Sequence, residues 1–258
     1  MPSCSVSEHT RPAGGSASPS TKRSAGRCAF VLSILAAGIP AWGGTFQVSP
    51  VRATLSTSRS IAALTVKNHG AEPAVVQLEV VTWSQHEGKD VYVATKEIIA
   101  TPPIFTVPPG GTQVVRVGLR RAPDPQRELA YRLYLQEVPP APGAGFQGLQ
   151  VALRLGVPVF VNPRAAVAPA LKWSARRGAG AELKIGLANS GYVHVQVSEL
   201  KVSSARGETL ASQPAVGYVL PGQSREWGIK VSPLPSGAAL RLVAQTDAGE
   251  VKVDLVVE

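Results

Sequence analysis

Residues 149–161, LQVALRLGVPVFV, decide the fold that the sequence predicts. Seven apolar side chains recur there at every second position: Leu149, Val151, Leu153, Leu155, Val157, Val159 and Val161. Successive side chains of a strand point to opposite faces, so this row predicts a β-strand with one continuous apolar face. Pro158 cannot donate a backbone hydrogen bond and therefore favours the edge of a sheet. Because long apolar edges recruit other chains unless they are covered, we expect this strand to pair with a partner.

The rest of the chain from Thr45 onward consists of short β-branched runs separated by Gly, Pro, Asn and Asp. The first set of predicted strands covers residues 46–55, 61–68, 74–83, 91–94, 113–118, 131–138 and 149–161. The second set covers residues 170–174, 182–188, 194–202, 216–220, 225–231, 239–245 and 251–257. Two sets of about seven strands are typical of immunoglobulin-like (Ig-like) sandwiches. We therefore predict an all-β protein with one such domain at residues 44–163 and a second at 164–258.

One strand-turn-strand phrase occurs in both predicted domains. The first copy contains Asn68-His69-Gly70, and the second contains Asn189-Ser190-Gly191. The phrase supports a shared architecture and carries little information about function.

Residues 1–43 predict a cleaved secretory signal. Lys22, Arg23 and Arg27 precede a short apolar run, and small residues stand at the positions that a signal peptidase recognises. The apolar run is much shorter than the roughly 20 residues of a membrane-spanning helix. Both cysteines, Cys4 and Cys28, fall inside this segment. The mature chain would therefore lack disulfides and any thiolate metal site.

The distribution of charged and catalytic residue types argues against an enzyme or a nucleic-acid-binding protein. The net charge is +9, but the basic residues are scattered singly. His69, His86 and His194 form no metal-spaced pair and no nucleophile motif, so we interpret them as surface or strand residues. No carboxylate pair is marked for acid–base chemistry. The sequence thus predicts no enzyme activity, no metal and no cofactor.

Arg52 and Arg132 interrupt two strongly apolar predicted strands. Each admits two interpretations, a solvated side chain or a functional one. An arginine that faces a cleft beside a recruiting edge could bind a carboxylate through two parallel hydrogen bonds. Such a contact would fix the register of a peptide that adds to the edge by its C-terminus.

Four segments of the chain resemble the periplasmic chaperones of the chaperone–usher pilus pathway, the PapD-like proteins. They are VSPVRATL (48–55), ATPPIFTVPPGGTQVVRV (100–117), YRLYLQEVPP (131–140) and LQVALRLGVPVFVNP (149–163). The resemblance covers the whole chain after the predicted signal, and the combination of segments is far more specific than any one of them.

The resemblance implies two Ig-like domains in a boomerang arrangement and a role in the periplasm. It implies that the chain completes the Ig fold of a fimbrial subunit by lending it a strand, and then delivers the subunit to an outer-membrane usher. The apolar side chains that would fill the subunit's groove, here called the donor row, are Leu149, Val151, Leu153, Leu155 and Val157. Arg52 matches the family's cleft arginine, which binds the subunit's C-terminal carboxylate.

The sequence departs from the familiar family pattern at two positions. Pro158 stands where many members have a second, lysine anchor, and Asn162 stands where they have a basic residue of an interdomain ion pair. The form LRLGVPVFV is closer to the archaic, Csu-type branch. Arg132 is our candidate for the second carboxylate anchor.

A fimbrial subunit or a secreted Ig-like adhesin is the alternative hypothesis. Subunits usually have one Ig-like domain per module, an N-terminal donor extension and often a disulfide, whereas this chain predicts two domains and an internal donor strand. The long apolar edge also makes self-association of the free protein plausible.

Overall fold

The structure is a computed structural model that describes residues 46–258, and every regular element among them is a β-strand. The strands of the first half are β1 (Phe46–Ser49), β2 (Ala53–Leu55), β3 (Ile61–Asn68), β4 (Ala74–His86), β5 (Lys89–Ala94), β6 (Ile98–Thr101), β7 (Ile104–Val107), β8 (Thr112–Leu119), β9 (Leu129–Glu137) and β10 (Arg154–Val161). The strands of the second half are β11 (Leu171–Arg177), β12 (Glu182–Asn189), β13 (Val195–Ser204), β14 (Thr209–Val219), β15 (Gln223–Lys230), β16 (Ala239–Thr246) and β17 (Gly249–Val256). The all-β prediction is confirmed, while the predicted signal at 1–43 lies outside the described residues.

The first sandwich packs two sheets that are made only of strands β1–β10. One has the order β1-β3-β8-β6, and the other has the order β2-β10-β9-β4-β5 with β7 paired to β4. Inward side chains alternate along each strand, so that Leu64 and Val66 of one sheet face Leu133 and Leu135 of the other across a closed core. Each such side chain contributes about 1.5–3 kcal/mol by its burial.

The second sandwich is built from strands β11–β17. Its sheets have the orders β11-β12-β15 and β14-β13-β16-β17, and they enclose a separate core that contains Ile185, Leu200 and Leu242. The division between the sandwiches falls in residues 162–170, where no regular strand is present.

The predicted strand 46–55 is two strands in the structure, which corrects the expectation. β1 pairs with β3 of one sheet, whereas β2 runs parallel to β10 of the other. The chain crosses from sheet to sheet between them, and one strand cannot pair in both sheets without a break. Arg52 lies in this crossover.

The Asn-containing phrase has the same structural role in both sandwiches. Asn68 donates through Nδ2 to the carbonyls of Glu72 and Val107, at 2.7 and 3.0 Å. Asn189 donates in the same way to the carbonyls of Val193 and Val219, at 2.8 and 3.2 Å. Each amide oxygen accepts from the backbone N–H of the glycine two residues later. Both asparagines are buried, so each satisfies backbone groups that water does not reach.

Replacing Asn189 with alanine is expected to lower the free energy of unfolding by roughly 2–4 kcal/mol, because buried backbone groups would lose their partners. Urea unfolding monitored by tryptophan fluorescence measures this loss. Ser190→Ala is the matched control, since the Ser190 hydroxyl is exposed, and it should stay within about 0.5 kcal/mol of wild type. Equal stability of the Asn189 and Ser190 variants would contradict the role assigned to the amide.

Candidate functional site

Strand β10 has an open edge over residues 154–158. It pairs with β9 along its whole length, from Arg154↔Gln136 to Val161↔Leu129. On its other side, β2 covers only residues 159–161. Among the described residues, the first half of β10 therefore has no neighbour on one side and could accept another strand.

The hydrogen-bond register explains how Pro158 fits into β10. The backbone N–H of Glu137 donates to the carbonyl of Leu153 at 2.8 Å, so Leu155 and Val157 also bond to β9 in the alternating antiparallel pattern. The backbone groups of Arg154, Gly156 and Pro158 consequently point to the open edge. Pro158 thus costs no hydrogen bond to β9, and the edge retains two free N–H groups, at Arg154 and Gly156.

Residues 149–153 are not part of β10, which corrects the prediction of one strand from 149 to 161. β9 ends at Glu137 and is followed by Pro139 and Pro140, so β9 itself cannot pair with the residues before Leu153. The Glu137 carboxylate accepts the N–H of Leu153 at 3.0 Å, and this contact marks the end of the pairing between β9 and β10. An extended conformation upstream of Leu153 therefore needs a pairing strand from elsewhere.

Exposure changes steadily along the donor row. Leu149 is 88% exposed and Val151 is 52% exposed. Leu153 and Leu155 are partly buried against the core of the first sandwich, and Val157 is only 4% exposed within that core. The donor row thus begins in solvent and ends in the protein's own core. Leu149 and Val151, at its start, are the members with exposed side chains.

Arg52 forms an ion pair with the second sandwich. Its Nη1 donates to Asp247 Oδ2 at 2.8 Å, although its side chain remains 40% exposed. Asp247 lies in the turn between β16 and β17. The arginine thus already binds a carboxylate, which shows that its position suits one.

Arg132 extends from β9 on the face opposite the core. Its guanidinium carbon lies 4.2 Å from the ring centroid of Trp83 and 6.0 Å from that of Tyr92, within cation–π range. Among residues 46–258 no carboxylate forms an ion pair with it. Its guanidinium is thus held by aromatic rings and not by a carboxylate in this part of the chain.

The hydroxyl of Tyr218, in β14, relates the two arginines to each other. Burial raises the pKa of Tyr218, and the positive charges of Arg52 and Arg132 both act to lower it. The negative charge of Asp247 acts to raise it. Charge effects from all three groups on one hydroxyl mean that both predicted arginines lie around the same place at the junction of the sandwiches.

His194 lies at this junction between two carboxylates, which corrects its interpretation as an ordinary surface or strand residue. Its Nδ1 is 2.7 Å from Glu128 Oε1, and its Nε2 is 3.4 Å from Asp247 Oδ2. The ring stacks on Phe160, with centroids 3.6 Å apart and planes 9° apart. We call His194, Glu128 and Asp247 the junction triad. Asn162 is not part of it: its backbone N–H donates to the carbonyl of Leu55.

The triad perturbs the pKa values of two of its members. Burial lowers the pKa of His194, but the two carboxylates outweigh burial and the net shift is upward. Burial raises the pKa of Asp247, but hydrogen bonds outweigh it and hold that pKa well below its usual range. The backbone N–H of Gln196 and the Arg52 guanidinium donate to Asp247, and Nε2 of His194 lies 3.4 Å from its carboxylate. The charged forms of His194 and Asp247 therefore support each other.

Apolar and polar contacts fix the junction around the triad. Trp83 and Phe160 of the first sandwich form a small buried cluster with Leu220 of the second. The side chain of Gln85, which is buried, donates to the carbonyl of Tyr218 at 2.9 Å and accepts the N–H of Leu220 at 3.0 Å. These contacts predict a well-defined interface rather than a loose link.

Sequence reasoning did not find Asp247, Glu128, His194 or Tyr218 as members of the site. They come from separate segments, and no spacing along the chain joins them. Arg52 and Arg132 are the junction residues that the sequence indicated. Among residues 46–258, no group of three His, Cys, Asp or Glu side chains is arranged to hold a metal ion. In the same range, no helix is long and apolar enough to cross a membrane.

The fold and the site define an all-β protein of two Ig-like sandwiches with an open donor edge. Residues 45–166 match a family described as pili and flagellar-assembly chaperone, PapD N-terminal domain. Residues 45–166 are therefore similar in sequence to the pilus-assembly chaperones, which confirms the resemblance noted in the sequence. These proteins are assembly chaperones and not enzymes, which also confirms the prediction of a non-enzyme. No curated protein sequence matches the chain closely enough to count as a relative.

Solved structures of pilus chaperones share the fold over most of the chain. The CsuC–CsuE chaperone–tip subunit pre-assembly complex from the archaic Csu pili of Acinetobacter baumannii matches at 23% identity and a TM-score of 0.62, covering 83% of this chain and 100% of that one. The Pseudomonas aeruginosa CupB2 chaperone matches at 19% identity and a TM-score of 0.55, covering 82% and 100%. The Salmonella enterica SafA pilin–SafB chaperone complex matches at 17% identity and a TM-score of 0.56, covering 83% and 96%. At these identities the likeness shows the fold.

Proposed function

We propose that this protein is a periplasmic chaperone that captures fimbrial subunits by strand donation and passes them to an outer-membrane usher. The open edge of β10, which continues into the exposed start of the donor row, is the observation that carries the proposal. An incoming subunit would supply a neighbouring strand along residues 149–153 and would cover Leu149 and Val151. Capture would then require no nucleotide, because burial of apolar surface supplies the free energy.

The donor row divides into two functional parts under this proposal. Leu149, Val151 and Leu153 would fill the subunit's groove. Leu155 and Val157 would continue the row into the chaperone's own core, so that the two cores become one apolar layer. The register would be set by the subunit's terminal carboxylate, bound by Arg52 and Arg132.

Several further features belong to the same proposal. Residues 1–43 would direct secretion and be removed, leaving one domain at 44–163 and the other at 164–258. Fimbrial subunits and an usher would be the partners, and nucleic acid would not be one. The free protein would shield its edge by self-association, which dilution should reverse.

Substituting aspartate in the exposed donor row tests the proposal. Val151→Asp and Leu153→Asp should each abolish co-purification of a co-expressed fimbrial subunit from periplasmic extracts, because a buried carboxylate in the groove costs several kcal/mol. Val216→Asp, in the second sandwich, is the control, since Val216 is also a strongly exposed valine. Undiminished subunit capture by both donor-row variants would rule out groove filling. Recovery of the chain as a stoichiometric component of isolated fimbriae would favour the alternative of a structural subunit.

A further inference from the structure

Tyr218 is a residue of the second sandwich whose side chain is held by the first. Its ring meets Trp83 edge-on, with centroids 5.2 Å apart and planes at 82°, and lies 5.7 Å from the ring of Phe160. Gln85 binds its backbone carbonyl from the first sandwich. Both the ring and the backbone of Tyr218 are thus fixed at the junction before any ligand arrives.

The hydroxyl of Tyr218, in contrast, has no hydrogen-bond partner among residues 46–258, although its backbone carbonyl has one. Charged groups nevertheless lie against two of the rings that contact the Tyr218 ring. Arg132 lies over Trp83, which meets the Tyr218 ring. Asp247 lies beside His194, whose ring is 5.7 Å from that of Tyr218. Asp247 in turn binds Arg52. Burial is the largest influence on the pKa of Tyr218 and keeps the phenol protonated. An oriented, protonated hydroxyl in a neighbourhood that also contains two arginines is suited to donate a hydrogen bond to an anion.

We propose that the Tyr218 hydroxyl donates a hydrogen bond to the terminal carboxylate of the captured subunit and is the third group of the site formed by Arg52 and Arg132. The inference rests on the function proposed above. A carboxylate accepts about four hydrogen bonds, and Nη1 of Arg52 is already engaged by Asp247. A neutral donor completes the coordination without adding another desolvated charge.

The position of Tyr218 gives the site a second property. Arg52 and Arg132 belong to the first sandwich, whereas Tyr218 belongs to the second. A carboxylate bound by all three would contact both sandwiches at their junction. A subunit that pairs with β10 in a shifted register would place its carboxylate away from this site and lose contacts with both sandwiches. Tyr218 would therefore help the chaperone to select the correct strand register.

Tyr218→Phe removes only the hydroxyl and keeps the aromatic contacts. Differently tagged wild-type and variant chaperones are co-expressed with a limiting amount of a fimbrial subunit from the same bacterium, and the ratio of captured subunit is measured. We expect Tyr218→Phe to capture roughly tenfold to a hundredfold less subunit than the wild type, because it lacks one hydrogen bond to a charged group. Tyr192→Phe, at a half-exposed tyrosine of the second sandwich, is the control and should compete equally.

The same competition is repeated with a subunit that carries two additional C-terminal glycines, which displace its carboxylate. The disadvantage of Tyr218→Phe should disappear with this subunit. An equal disadvantage with both subunits would show a structural role and overturn the inference, as would equal competition with the native subunit. Arg52→Ala tests the proposed anchor separately from Tyr218. Capture of the native subunit by Arg52→Ala at the wild-type level would overturn the anchor itself. Lowered capture by Arg52→Ala, together with wild-type capture by Tyr218→Phe, would overturn only the role of Tyr218.

Discussion

Replacing Arg52 with alanine is expected to abolish capture of a native fimbrial subunit while leaving the chaperone folded. Loss of one partner of a hydrogen-bonded charge pair at an interface costs about 3 kcal/mol, or roughly a hundredfold in affinity. The effect should be larger than for any other single anchor variant, because Arg52 lies in the sheet crossover beside the open edge of β10. Co-purification from periplasmic extracts measures capture, and thermal unfolding of the isolated variant measures the fold.

Arg59→Ala is the matched control, since Arg59 is an exposed arginine of the neighbouring loop. Arg52→Lys should give an intermediate result, because lysine keeps the charge and loses the two-pronged geometry. Wild-type capture by Arg52→Ala would overturn the anchor. A large drop in its unfolding temperature would instead assign Arg52 to the stability of the junction.

The ion pair between Arg52 and Asp247 is compatible with this prediction. The Arg52 side chain is well exposed, and exposed pairs contribute about 0–1 kcal/mol. An incoming carboxylate can therefore share the guanidinium with Asp247, or replace it, at little cost. Asp247 keeps the hydrogen bond from the backbone N–H of Gln196 and its contact with His194 in either case.

The period-two pattern predicted which residues line the first core but not where strand β10 begins. Leu153, Leu155, Val157, Val159 and Val161 do face that core, because alternation is a local property of the chain. The start of the strand depends on a pairing neighbour, and Pro139 and Pro140 end β9 before it can serve residues 149–152. A pattern of side chains contains no information about a strand that another molecule would supply.

The junction triad could not be predicted for a different reason. Glu128, His194 and Asp247 are separated by more than fifty residues from one another, and their contact depends on how two sandwiches pack. The sequence showed only that Asn162 lacks the positive charge expected at that point. At the junction, His194 of the second sandwich lies between two carboxylates, and its pKa is raised by them.

Substitution of His194 should have the largest effect on stability. His194→Ala would leave the buried Glu128 carboxylate with only the backbone N–H of residue 194 as a partner, and breaking such a pair costs about 3–5 kcal/mol. The cavity left beside Phe160, on which the imidazole stacks, would add to this loss. We expect a lower urea midpoint and faster proteolysis in residues 162–170, which connect the sandwiches.

His194→Gln separates the charge from the hydrogen bond, because the amide still donates to Glu128 and does not titrate. The pKa of His194 is raised in the folded protein, so its protonation stabilises the fold in full below about pH 6.5, the unfolded value. This contribution is lost as the pH rises through the folded-state pKa. The stability of the wild type relative to His194→Gln should therefore be greatest at pH 5.5 and decline toward pH 8.5. A difference that grows with pH over this range would mean that His194 is neutral in the folded protein and that the triad is not held by charge.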